Sequence, residues 1–240
     1  MDVAWEDLGW ERLGERTGRR RLPGWDATAA LVAGTDRALL YDTGSTLREG
    51  AALRAGAEGL LGRRVTHIAL SHPHFDHVLG TAAFAGAEVY GAVGTAELLS
   101  RGAAELRADA VRHGMDERDA TAATDALVVP RHQVSGELTL DLGGGLQVLL
   151  ANVGPGHTGH DLAVLVPGSP VVVLCGDLVE ESGEPQAGPD AVPAHWPAAL
   201  DRLLELGGED ARYVPGHGAV VDAAFVRAQR AWLAARSGVS

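Results

Sequence analysis

Short apolar stretches bounded by Gly, Pro, Asp or Asn recur along this chain: Thr28 to Ala33, Ala38 to Tyr41, Val65 to Leu70, Ala87 to Tyr90, Leu146 to Val153, Leu162 to Val166 and Val171 to Leu174. Their length and their Val, Leu and Ala content predict strands. Segments with Leu or Ala at helical spacing among Arg and Glu lie between them, at about 46 to 61, 95 to 100, 102 to 125, 196 to 206 and 222 to 236, the first closed by Gly62. Gly34-Thr35-Asp36 and Gly143-Gly144-Gly145 separate consecutive strands and predict hairpins. Residues 1 to 25 are polar, with an edge strand expected around Trp10 to Gly14 and with Trp5, Trp10 and Trp25 anchoring an irregular lead-in. Gly183, Gly188 and several prolines make 180 to 197 a long loop. Strands alternating with helices predict an α/β fold.

The chemistry concentrates in Ser71-His72-Pro73-His74-Phe75-Asp76-His77, directly after the strand from Val65. Alternate side chains of an extended segment point the same way, so His72 and His74 can grip one ion while Asp76 and His77, past a turn, face a second. His67, inside that strand, reads as a packed core histidine. Three more donor groups follow apolar runs: Gly156-His157-Thr158, Cys175-Gly176-Asp177 and Pro215-Gly216-His217-Gly218. Upstream, Leu40-Tyr41-Asp42-Thr43-Gly44 closes another.

Together these motifs resemble the metallo-β-lactamase superfamily, over about residues 28 to 236. The resemblance implies an αββα sandwich in a single domain spanning 1 to 240, with a lead-in at about 1 to 25 and a helical insertion over the site at about 102 to 135. It implies two divalent metal ions, zinc foremost, with iron or manganese as alternatives. His72, His74 and His157 would hold one ion, and Asp76, His77 and His217 the other. Asp177 would bridge them, and Asp76 and Asp177 are the catalytic carboxylates. Such a pair of ions makes a bridging water acidic enough to attack a carbonyl near neutral pH. Asp76 or a metal-bound water would then protonate the leaving group. Asp42, His160 and Asp161 are expected to orient the ligand imidazoles, and His195, Trp196 and His132 to contact substrate from the long stretches 102 to 135 and 180 to 197.

The implied function is hydrolysis of an ester, thioester or lactone of a small molecule. Alternatives are a persulfide dioxygenase with a single iron and a β-lactamase in the strict sense; antibiotic-hydrolysing members tend to place Cys or Ser where Asp177 stands. Composition narrows the field. The formal charge is -12 and all twenty basic residues are Arg, which argues against a nucleic-acid partner and excludes a lysine nucleophile. Arg19-Arg20-Arg21 and Arg63-Arg64 read as solvated faces. The single cysteine, Cys175, forms no internal disulfide and fits a reducing compartment. The acidic opening Met1-Asp2-Val3 and the lack of a long apolar run lead to an expected cytoplasmic location without a membrane span. Oligomeric state leaves no signature in the chain.

Overall fold

The computed structural model of the protein describes residues 4–238, so the opening Met1-Asp2-Val3 lies outside the described residues. Two sheets face each other. The first has the order β1 (Glu11–Arg12), β2 (Thr17–Arg21), β3 (Thr28–Ala33), β4 (Ala38–Tyr41), β5 (His67–Ala69), β6 (Glu88–Ala92) and β7 (His132–Val134). It is antiparallel from β1 to β4 and parallel from β4 to β7. The second sheet runs β12 (Arg212–His217), β11 (Val172–Glu180), β10 (Ala163–Val166), β9 (Gln147–Ala151) and β8 (Glu137–Asp141), with only β11 and β12 parallel.

Period-2 alternation sorts the strand residues into three apolar layers. Ala30, Val32, Leu39 and Tyr41 of the first sheet meet Val148, Leu150, Val164, Val172 and Leu174 of the second between the sheets. Leu31, Leu40 and Ile68 point outward, against Leu53 and Ala57 of α1 (Leu47–Leu61) and against Leu99, Leu106 and Ala110. The last three come from α3 (Thr95–Arg101) and α4 (Ala103–Arg112), which follow the one-turn helix α2 (Phe75–Val78). α5 (Glu117–Asp125) adds Ala120 and Ala123 to the same layer. On the far side, Val173 and Cys175 pack against Trp196, Leu200 and Leu203 of α6 (Trp196–Gly207) and Val226 and Leu233 of α7 (Ala223–Ser237). Helices therefore cover both outer faces of the paired sheets, the expected αββα sandwich, and central strands buried on both faces read as continuous apolar runs. Among the described residues no helix is long and apolar enough to cross a membrane.

Three expectations change in detail. Arg19-Arg20-Arg21 belongs to β2 and is solvated only in part: Arg21 is exposed, but Arg19 is buried, its guanidinium paired with Glu11 at 2.7 Å and donating to the Gly218 carbonyl at 2.9 Å. An arginine can lie along a sheet when its apolar stem packs and its head finds partners. The stretch 102 to 135 is helical only to Asp125; its end is β7, which completes the first sheet. The strand expected over Val65 to Leu70 is confined to His67–Ala69. His67 is buried, bonded to Thr66 and stacked on Tyr90.

Helix α1 lies against the segment after the histidine-rich loop through two glycines. A Cβ on Gly80 would sit inside contact distance of the Thr43 carbonyl and 2.9 Å from Gly50 Cα, and one on Gly50 would meet the Gly80 backbone. This close approach holds Thr43, whose N–H and hydroxyl both donate to the His77 carbonyl at 2.9 and 3.0 Å. Gly80→Ala is expected to lower stability by about 1–3 kcal/mol through overpacking, read as a lower denaturant midpoint in guanidinium unfolding; an unchanged midpoint would mean that the contact is looser than it stands here.

Candidate metal centre

The donors gather near the carboxyl ends of strands, the edge of an α/β sheet where ligands collect. β5 delivers Ser71 to His74, and the single turn of α2 carries Asp76 and His77 to the other side. His157 follows β9, Asp177 lies within β11 and His217 ends β12. The Asp177 carboxylate sits in the middle of the group. It lies 3.6 Å from His72 Nε2, 3.4 Å from His157 Nε2, 3.2 Å from His77 Nε2 and 3.3 Å from His217 Nε2. Asp76 approaches His77 and His217 at 3.5 and 3.3 Å. Two donor sets emerge, His72, His74, His157 and Asp177 in one and Asp76, His77 and His217 in the other, the atoms of each within 4.8 Å of one another.

These groups fit a cation better than they fit one another. His72 Nε2 and Asp177 Oδ1 are buried without a hydrogen-bond partner, an arrangement costing about 1–3 kcal/mol per group unless something binds there. His157 Nε2 lies 3.0 Å from His74 Nδ1 and His77 Nε2 lies 3.4 Å from His217 Nε2. Facing ring nitrogens need a shared proton or an ion between them. The donors are nitrogen and oxygen throughout, a set suited to zinc, iron or manganese.

The far nitrogens of the rings are held in place. His72 Nδ1 meets Ser71 Oγ at 2.8 Å, His77 Nδ1 meets Asp42 Oδ2 at 2.9 Å, His157 Nδ1 meets the Gln186 carbonyl at 3.0 Å and His217 Nδ1 meets the Trp25 carbonyl at 2.9 Å. His74 is reversed: its Nδ1 faces the centre while Nε2 contacts Asp190 Oδ2 at 3.0 Å. Such partners select the tautomer and aim the inward nitrogen. Asp42 also accepts from the Ser71 N–H at 2.7 Å and takes up a left-handed backbone, φ 60°, which Asp tolerates better than most residues.

Charge is shared across the cluster. Burial opposes ionisation of Asp177 and Asp76, but the surrounding imidazoles, His77 foremost, hold both carboxyls well below their ordinary range. Burial likewise opposes protonation of His77 and His217, yet Asp177 and Asp76 override it, keeping His77 well above its ordinary value and pushing His217 up to about 11. For His157 burial wins, and its value falls to about 4.

The remaining expected site residues divide. Asp42 orients His77, as described. Asp161 is buried and accepts from the N–H groups of Gly156 and Thr158 and from the Thr158 hydroxyl; it fixes the turn carrying His157 rather than an imidazole, and burial pushes its carboxyl up to about 7. His160 turns away, its Nδ1 on the Val93 carbonyl at 2.8 Å and its ring over Gly94. His132 lies on β7 at the sheet edge, paired with Glu88 at 2.7 Å and stacked on Tyr90, two strands from β5. His195 is exposed where α6 begins. Trp196 is fully buried, its indole N–H donating to the Leu178 carbonyl and its ring edge-on to His157 at 5.6 Å. It is a wall behind a ligand and has no face for substrate. Of the two long stretches, 180 to 197 reaches the centre through Gln186 and Asp190. The helical one bears on it through His113, whose ring stacks on Phe75 and whose carbonyl accepts from the Trp25 indole.

Gln186, Asp190 and Trp25 could not be found by motif. Two of them act through backbone carbonyls, which every residue possesses, and Asp190 is one acid among many in an irregular loop.

Comparison with known proteins follows this geometry. Residues 22–217 match the family model described as the metallo-beta-lactamase superfamily. A curated relative, metallo-beta-lactamase domain-containing protein 1 of Xenopus laevis, is 28% identical over 161 residues, 66% of this chain; the match spans 57% of that protein. A metallo-beta-lactamase from Pontibacter korlensis superposes with a TM-score of 0.74 at 20% identity, covering 93% of this chain and 97% of that one. One from Pseudomonas aeruginosa, crystallised in a mono-zinc form, gives 0.68 at 20% identity, covering 92% and 90%. At such identities the structural likeness speaks for the fold alone.

Asp177 and Asp76 favour the protonated forms of His77 and His217 in the metal-free protein, and these rings ligate only without those protons, so ion binding is expected to release protons. Zinc affinity is therefore expected to rise with pH across neutrality, and the calorimetric enthalpy to vary with the ionisation enthalpy of the buffer; affinity independent of both would show the imidazoles already neutral. Asp42→Asn removes the anionic acceptor behind His77 and is expected to cost about tenfold or more in affinity in the same titration, with the circular dichroism spectrum retained.

Proposed function

Since the chain belongs to the metallo-β-lactamase superfamily, we propose that it is a metal-dependent hydrolase of a small ester, thioester or lactone, working with two divalent ions. The observation that carries this reading is the Asp177 carboxylate set between two groups of imidazoles, within 3.2 to 3.6 Å of four ring nitrogens. Two ions held by such groups polarise a carbonyl oxygen and supply a water acidic enough to attack near neutral pH.

The protein's own residues do the rest by positioning. Asp177 neutralises both halves of the centre from one side chain. Asp42, Ser71, Gln186 and Trp25 lock the ring orientations, so the donors need no rearrangement when charge develops. Asp76 stands between His77 and His217 as a carboxylate close to the reacting groups, placed to receive or return a proton through its Oδ2. The solvent-facing side is marked by His74 and Asp190, with side chains 26% and 38% exposed. Trp25, half-buried, packs edge-on to Phe75 at 5.2 Å and offers an apolar surface beside the acidic groups for the carbon skeleton of a substrate. Cys175 takes no part: its thiol is buried in the outer layer with Sγ on the Val173 carbonyl, and burial pushes its value up. The formal charge of -12 supports a small-molecule substrate rather than a polyanion.

A panel of thioesters, lactones and aryl esters, run beside β-lactams, phosphodiesters and persulfides with metal-loaded protein, tests the reading. Turnover of the carbonyl esters is the expected outcome, and turnover confined to persulfides or phosphodiesters would replace it. Asp177→Asn is expected to lose metal from elemental analysis and to lose most activity while keeping the circular dichroism spectrum of a folded domain. Full occupancy and turnover in that variant would remove Asp177 from the bridging position.

A further inference from the structure

Glu180 ends β11, three residues beyond Asp177. In a regular strand, residues three apart point to opposite faces. Here the pairing of β11 with β12 slips between Gly176 and Glu180, and Glu180 falls opposite His217. This bulge turns both carboxylates to one side. Asp177, Glu180 and His217 form a third set of donors whose atoms lie within 4.8 Å of one another.

The Glu180 side chain is 6% exposed. One carboxylate oxygen, Oε1, accepts from the Ser182 N–H at 3.0 Å and from its hydroxyl at 2.6 Å. Among the described residues no hydrogen bond engages the other oxygen, Oε2. The backbone around it is pinned from the opposite side by Gln229 of α7, which accepts from the Glu180 N–H at 3.0 Å and donates to the Leu178 carbonyl at 2.7 Å. Asp177 Oδ1, in the same set, is buried and unpartnered. A largely buried carboxylate, fixed through one oxygen and grouped with Asp177 and His217, has its other oxygen available to a cation.

We propose that Glu180 is an additional oxygen donor to the ion held by His217, and that it biases this position toward an oxygen-preferring cation such as manganese over zinc. This rests on the two-ion reading above and deepens it. Carboxylate oxygens favour manganese, whereas imidazole serves zinc well, so an added carboxylate shifts the preference between them without changing the remaining donors. Ser182 bonds Oε1 and supplies no donor to the ion, so its removal serves as the control.

Calorimetric titration of the metal-free full chain with manganese chloride and with zinc chloride, for the wild type, Glu180→Gln and Ser182→Ala, tests the assignment. Glu180→Gln is expected to lose about tenfold or more in manganese affinity while zinc affinity moves little, so that the ratio of the two constants changes. Ser182→Ala, which keeps the carboxylate, is expected to leave that ratio near the wild-type value. Equal weakening of both metals by Glu180→Gln, no change in either, or the same altered ratio in Ser182→Ala would each overturn the proposal and leave Glu180 a structural residue of the loop. A wild-type protein that binds neither ion would instead overturn the metal centre itself.

Discussion

The structure depends on how five imidazoles and two carboxylates can be buried at the seam of two sheets. Stripped of water, each is a penalty, and two of them, His72 and Asp177, have a buried atom without a hydrogen-bonding partner. Asp177 is the group that makes the collection tolerable, because one carboxylate sits within reach of four rings from three different segments. A cation bound among these donors would balance the charge and engage the unpartnered atoms. The same feature that makes the centre costly when empty makes it a strong ligand when ions are present.

The scaffold supports this by presenting strand ends rather than loops. β5, β9, β11 and β12 are buried on both faces by the apolar layers between and outside the sheets, and strands so enclosed have little freedom to shift their ends. Cross-sheet bonds reinforce the seam: the Tyr41 hydroxyl donates to the Leu162 carbonyl at 2.8 Å, and the Leu162 N–H donates to the Ser71 carbonyl at 2.7 Å. The histidine-rich loop is thus tied to the opposite sheet immediately before its first ligand. Over the open side, the loop after β11 holds two ligand rings, His157 through Gln186 and His74 through Asp190. One loop therefore orients two rings of the first donor set.

Local sequence carried a large share of this outcome. The apolar runs around Leu31, Leu40, Ile68, Val148 and Val173 announced two-sided burial, and the crowding of His72, His74, Asp76 and His77 behind one of them announced a cation site, since both signals are short-range and depend only on residue type and spacing. The sequence also marked His157, Asp177 and His217 as strand-end donors, and the resemblance to one superfamily assigned them to a common centre. Tertiary structure alone decided the partners behind the rings. A backbone carbonyl such as that of Trp25 or Gln186 has no distinguishing letter, and it becomes a hydrogen-bond acceptor for a ligand only when a distant segment folds against it. The same limit bears on His132 and His195, expected at the substrate, and on His160, expected behind a ligand imidazole: strand register and helix packing aim them at Glu88, toward solvent and at the Val93 carbonyl. Arg19 reads as surface by composition and is buried because Glu11 and the Gly218 carbonyl converge on it. Residue type determined which chemistry this protein can perform; long-range packing, which sets direction and distance, determined which of those residues perform it.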